Sequence, residues 1–126
     1  MRRRRWRAQR VKRGSYSMRV RDMSAFISSK AEIWQQLQAH HQALQGFGVR
    51  RCGLFGSFQR GEATEASDID LLVVFEPELK TFRNFMDLCF FLEDLFDRKV
   101  DVLTPESLSP IFGHKILEEV EYVSFP

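Results

Sequence analysis

The stretch that decides the fold is "GSFQRGEATEASDIDLLVVF", Gly56 to Phe75. Its second half, Ile69 to Phe75, is β-rich and almost wholly apolar, the pattern of a central strand buried on both faces. Two aspartates, Asp68 and Asp70, sit at the start of that run. Side chains two apart on a strand share a face, so both carboxylates point the same way, with Ile69 opposite. A carboxylate in such a place is costly unless something compensates its charge. The first half begins with Gly56-Ser57, where a preceding apolar run ends.

Outward from this stretch the chain reads as alternating elements. On the N-terminal side, Ile33, Trp34, Leu37, His41 and Leu44 recur at helical spacing in a segment starting near Ser24. Gly46 and Gly48 stop it. "VRRCGLFG", Val49 to Gly56, is a short strand, and a polar connection from Ser57 to Ser67 leads to the second one. Pro77 ends that strand. Thr81 to Asp97 reads as a helix with Thr81 as N-cap. "KVDVL", Lys99 to Leu103, is a third strand. Thr104, Pro105 and Glu106 open a last turn or helix, and Ile111 to Val123 is mostly helical by pattern. His40 and His41 lack partners at ligand spacing and read as residues of a core edge.

Topology brings the acids together. The connection between the first two strands is short, so they should be antiparallel neighbours. The third strand follows a helix long enough for a crossover and should run parallel to the second. Ser57, Asp68, Asp70 and Asp101 then converge on one edge of the sheet. Three carboxylates in one place repel each other unless a cation sits among them. Oxygen-only ligands favour a hard cation, Mg²⁺ before Zn²⁺, and Mg²⁺ commonly keeps part of its shell for substrate phosphates. Gly56 allows close backbone approach, and N–H groups opening a short helix can receive phosphate oxygens. Ser57 adds a hydroxyl, and Arg60 lies about one helical turn on.

Gly56-Ser57, Asp68-Ile69-Asp70 and Asp101 resemble the signature of the nucleotidyltransferase superfamily that includes the palm domain of DNA polymerase beta. Within it, "GSFQRGEATEASDIDLLVVF" and "VDVLTPESL" resemble the minimal nucleotidyltransferases, small single domains often paired with a HEPN-domain partner as antitoxin and toxin. The resemblance covers residues 24–123. Gln59 stands where an alanine is common, which leaves the catalytic set intact. It implies an α+β fold, a small mixed β-sheet flanked by helices. It also implies Mg²⁺-dependent transfer of AMP from ATP. Asp68, Asp70 and Asp101 would be the catalytic and metal-binding residues for two Mg²⁺ ions, and Gly56, Ser57 and Arg60 the nucleotide-binding ones.

Composition sets the frame. The chain has 126 residues, enough for one domain; 44% are hydrophobic and 29% charged, ordinary for a soluble protein. No apolar stretch approaches the roughly 20 residues that span a bilayer, and no secretory signal follows the N-terminal arginines. Cys52 and Cys89 lack metal-site spacing and read as reduced core thiols of a cytoplasmic protein. The net charge of +2 hides two halves. Residues 1–21 carry ten of the 19 basic residues and no acid, whereas residues 22–126 set nine basic against 17 acidic, a balance of −8. We read 1–21 as a disordered basic extension, or as sequence upstream of a later start at Met18 or Met23, and 22–126 as the nucleotidyltransferase domain. A nucleic-acid arm is the other reading of that tail, which has no counterpart in the family pattern.

Only 25 residues follow Asp101, little material for an acceptor pocket. The acceptor is therefore expected to arrive as a partner macromolecule. The helix "TFRNFMDLCFFLEDLF" is apolar around most of its circumference, which means either core burial with a few exposed aromatics or an intermolecular contact. Three functions fit. The first is an antitoxin enzyme placing AMP on a hydroxyl, such as a tyrosine's, of a HEPN-type RNase toxin. The second is a module that neutralises that partner by occlusion. The third is a nucleotidyltransferase acting on a small molecule or RNA.

Overall fold

The computed structural model describes residues 29–125. The basic extension assigned to residues 1–21 and the helix start near Ser24 lie outside the described residues. Helix α1 spans Lys30–Ala39, and the Ser29 hydroxyl caps it by accepting the Glu32 amide at 3.3 Å. The continuous helix expected through Leu44 is in fact broken at His40, and α2 is His41–Gly46. The two histidines explain themselves locally: the Nδ1 atoms lie 2.9 and 3.0 Å from the carbonyls of Gln36 and Gln38. Side chains that bond the backbone of the preceding turn in this way compete with the regular ladder.

Strand β1 (Val49–Phe55) lies antiparallel to β2 (Ile69–Phe75), and β2 lies parallel to β3 (Val100–Leu103), as the connection lengths required. Helix α3 (Gly56–Arg60) opens the connection between the first two strands. Helix α4 (Phe82–Phe96) makes the crossover; Thr81 caps it by accepting the Asn84 amide at 3.1 Å, and Asp97, with φ 51°, ends it. A turn of 3₁₀ helix at Pro105–Ser107 follows β3, closed by reciprocal Thr104 and Ser107 bonds.

The C-terminal region departs from the helical expectation. Helix α5 covers only Gly113–Glu119, and Glu121–Tyr122 form a fourth strand, β4, antiparallel to β1 at Gly53 and Leu54. The sheet order is β3-β2-β1-β4. Gly53 makes this docking possible. A Cβ there would meet the Val120 and Tyr122 side chains at 2.6 and 2.9 Å. The helical pattern in Ile111 to Val123 is a short-range signal, while the pairing that draws Tyr122 into the sheet is set by a partner some 70 residues away in sequence.

The core forms between the sheet and the helices. Ile33, Leu37, Leu44, Leu88, Leu92 and Phe96 pack with Cys52, Leu54, Ile69, Leu71, Val73, Val100 and Val102. Alternation along β2 and β3 assigns Asp70 and Asp101 to the other face. On α4 the buried stripe is Leu88, Leu92 and Phe96, flanked by partly buried Phe85, Cys89, Phe91 and Leu95, while Phe82 is 80% exposed. Both cysteines are free, and burial pushes their thiols up to about 12 for Cys52 and about 11 for Cys89, so both stay protonated and unreactive.

The two sides of α4 predict opposite outcomes. Leu92→Ala should cost about 2–5 kcal/mol in denaturant unfolding, whereas Phe82→Ala should shift stability by no more than about 0.5 kcal/mol.

Candidate functional site

The site is built around Asp70. In the antiparallel ladder Asp70 is opposite Phe55, the residue before Gly56; in the parallel ladder its partner is Asp101. Strands about 4.8 Å apart therefore hold two carboxylates side by side on one face. Gly56 packs directly against the Asp70 side chain: a Cβ added there would run into the carboxylate, and its φ of 80° is one that L side chains rarely adopt. Glycine at position 56 is thus demanded twice, once by the turn from β1 into α3 and once by the acid beside it.

Asp68 precedes β2, where the ladder still extends through the Ile69 amide to the Lys99 carbonyl at 3.0 Å. Its Oδ2 lies 4.0 Å from Lys99 Nζ. The loop leading to Asp68 is fixed by Arg98, whose guanidinium donates to the carbonyls of Thr64, Glu65 and Ser67 at 3.3, 3.1 and 2.6 Å. Asp101 is exposed. Ser57 is half-buried on α3, and its carbonyl accepts the Glu62 amide at 2.8 Å. Arg60 reaches Glu62 and Glu119, each at 3.0 Å. Glu119 in turn accepts the Gly56 amide at 2.5 Å.

Electrostatics single out the same centre. Burial, then Asp101, then Asp68 push the Asp70 carboxyl up to about 6, and Arg60 only partly opposes them. Burial also raises Glu119, but the Gly56 amide and the Arg60 guanidinium outweigh it and hold that carboxyl below its usual range. The cluster is short of positive charge, and its donors are all oxygen, a set that suits a hard divalent cation. Among the described residues, no three carboxylate, thiol or imidazole groups stand close enough together to grip one ion unaided.

Of the residues singled out by sequence, Gly56, Asp70 and Asp101 are brought together by register, with Asp68 within electrostatic reach. Arg60 is linked to them through Glu119 instead of directly. Arg98 and Glu119 were missed by the sequence reading. Arg98 stands in a charged run, "DRK", and Glu119 is one of three acids in "LEEVE", so neither carries a local signal.

A model of the nucleotidyltransferase domain matches residues 31–123. This chain belongs to the nucleotidyltransferase domain family. It is 44% identical over 93 residues to the protein adenylyltransferase MntA of Thermococcus cleftensis, covering 73% of this chain and 93% of that one. A solved structure of a candidate minimal nucleotidyltransferase superposes with a TM-score of 0.58 at 36% identity, over 70% of this chain and 93% of the other. A structure of a tri-AMPylated HEPN toxin of Shewanella oneidensis in complex with MNT antitoxin gives a TM-score of 0.52 at 18% identity, over 74% and 73%. That last likeness speaks for the fold. The mixed sheet and flanking helices are those of a minimal nucleotidyltransferase. No helix among the described residues of this nucleotidyltransferase is long and apolar enough to cross a membrane.

Two outcomes follow from the crowding at Asp70. The folded-state value of about 6 lies above the 3.8 of a free aspartate, so ionised Asp70 destabilises the fold above pH 6 and the penalty fades as pH falls toward 4. In metal-free buffer, Asp70→Asn should therefore be more stable than the wild type at pH 7.5, by about 1 kcal/mol once solvent screening of a half-exposed group is allowed for. The gap should close by pH 4 in melting experiments. Gly56→Ala should cost about 1–3 kcal/mol, and less when Asp70 is also replaced by alanine, a coupling that a double-mutant cycle measures.

Proposed function

We propose that this nucleotidyltransferase is a protein adenylyltransferase that acts as an antitoxin, transferring AMP from ATP to a hydroxyl, that of a tyrosine, on a HEPN-type RNase toxin. The observation that carries the reading is the pairing of Asp70 with Asp101 beside the Gly56 turn, in a chain so similar to an MntA adenylyltransferase. The MNT antitoxin bound to its AMPylated HEPN toxin supports the partner.

In this reading the acceptor oxygen attacks the α-phosphorus of ATP, the bond to the bridging oxygen of the β-phosphate breaks, and pyrophosphate leaves. Asp68, Asp70 and Asp101 would hold Mg²⁺, two ions in the full set. Bound Mg²⁺ would neutralise charge on the attacking and leaving oxygens. The high value of Asp70 marks how much its ionised form gains from such a cation. Asp101, the most exposed of the three, takes the hydroxyl proton as the new bond forms. Gly56 and Ser57 receive the β- and γ-phosphates, with Arg60 as the nearby positive charge. Binding of Mg²⁺ should also depress the titration of Asp70, so a metal-loaded protein should lose the pH dependence of stability described above. The acceptor hydroxyl is that of the partner, as the AMPylated toxin in the MNT–HEPN complex suggests.

The test is to incubate the full chain with a HEPN toxin, Mg²⁺ and ATP, and to read added AMP by mass spectrometry. AMP on a toxin tyrosine is expected, and the Asp68→Asn, Asp70→Asn double variant should reduce it to background. If that double variant still neutralises the toxin in full, occlusion is the function. Transfer to RNA or to a small molecule by the chain alone, with none to the toxin, would overturn the proposal.

A further inference from the structure

The donors assigned to the triphosphate are already engaged by a group of this chain. Glu119, the last residue of α5, accepts the Gly56 amide through Oε2 at 2.5 Å and the Arg60 guanidinium through Oε1 at 3.0 Å. One planar anion spans a backbone N–H and an arginine, the donor pair that phosphate oxygens also use. We infer that Glu119 is a built-in phosphate mimic, which fills the phosphate seat of the nucleotide-free protein, competes with the triphosphate for Gly56 and Arg60, and withdraws when nucleotide loads. The inference rests on the nucleotidyltransferase reading of the site.

Three observations favour competition over a purely structural tie. Arg60 does not need Glu119 as its counter-charge, because Glu62 pairs with it at 3.0 Å. The C-terminal segment does not need Glu119 as its anchor either. It is held by the β4 pairing to Gly53 and Leu54, by the Val123 amide on the Cys52 carbonyl at 2.9 Å, and by the Lys30–Glu121 ion pair at 2.9 Å. Finally, Glu119 adds a third negative charge to the surroundings of Asp70, after Asp101 and Asp68, the wrong sign for a group that stays beside an incoming polyphosphate. A glutamate at the end of a helix has enough reach to swing out without displacing α5.

The experiment is calorimetric binding of α,β-methylene-ATP with Mg²⁺ to the full chain; this analogue cannot break the α–β link. Wild type, Glu119→Gln and Glu119→Ala are compared, each checked for an intact melting transition. Loss of the competitor should tighten binding in both variants, by about fivefold, the scale of a half-exposed ion pair. A structural role predicts the opposite sign, because a loosened site binds more weakly. Equal or weaker binding in both variants, with the wild type binding, overturns the inference alone. No binding by any of the three proteins overturns the nucleotide site itself and the inference with it. Binding by the variants and not by the wild type is the strongest form of support.

Discussion

Everything at this site depends on the register of β2. Its two ladders give Asp70 two neighbours at once, Phe55 on the antiparallel side and Asp101 on the parallel side. A slip of one residue in either ladder would turn Leu71 toward the site and bury the carboxylate against Leu54 and Val102. The alternation of the strand forbids that slip, because Ile69, Leu71, Val73 and Phe75 all belong to the core. The hydrophobic face thus fixes the position of the acids on the opposite face. Gly56 completes the constraint by letting the end of β1 close onto the Asp70 carboxylate.

The arrangement sets charge against stability. Ionised Asp70 is disfavoured by burial and by three like charges, Asp101, Asp68 and Glu119, which Arg60 only partly offsets. A protein selected for stability alone would place an amide or an apolar residue there. The helical side of the sheet compensates: Leu88, Leu92 and Phe96 from α4, with Ile33 and Leu37 from α1, fill that face with fully apolar contacts. The main core lies on one face of the sheet, and the clustered carboxylates lie on the other, beside buried Leu72 and Phe55.

How much of this was legible in the sequence depends on the range of the interaction. β2 is legible because six of its seven residues are apolar and Asp70 is the one exception, and the strand directions follow from the lengths of the connections. The Thr81 cap and the Pro105 turn are local chemistry and are equally legible. The break at His40 depends on a ring nitrogen finding a carbonyl in the preceding turn, which apolar spacing does not encode. β4 is two residues long and owes its existence to the bare face of Gly53, so its own sequence says little. Arg98 and Glu119 act through distant backbone groups, and charged residues in charged runs look alike until the fold pairs them. The apolar circumference of α4 left two readings open, and Phe82 shows that some of it does face solvent.

Glu119 ends α5, seven residues long, and only Val120 separates it from β4, two residues long. Short elements at a sheet edge carry little of the global stability and open at low cost. An edge strand with a longer ladder would hold the α5–β4 junction more rigidly, and Glu119 with it. The anchors lie after the junction: the Val123 amide on the Cys52 carbonyl ties the segment to β1, and Lys30 on Glu121 and the Gln38 amide on the Ser124 carbonyl, each at 2.9 Å, tie it to α1. They keep the strand in place while leaving Glu119, two residues before it, free to change its partner. A carboxylate mounted this way reads the occupancy of the Gly56 turn without putting the core at risk, since no core residue has to move when it lets go.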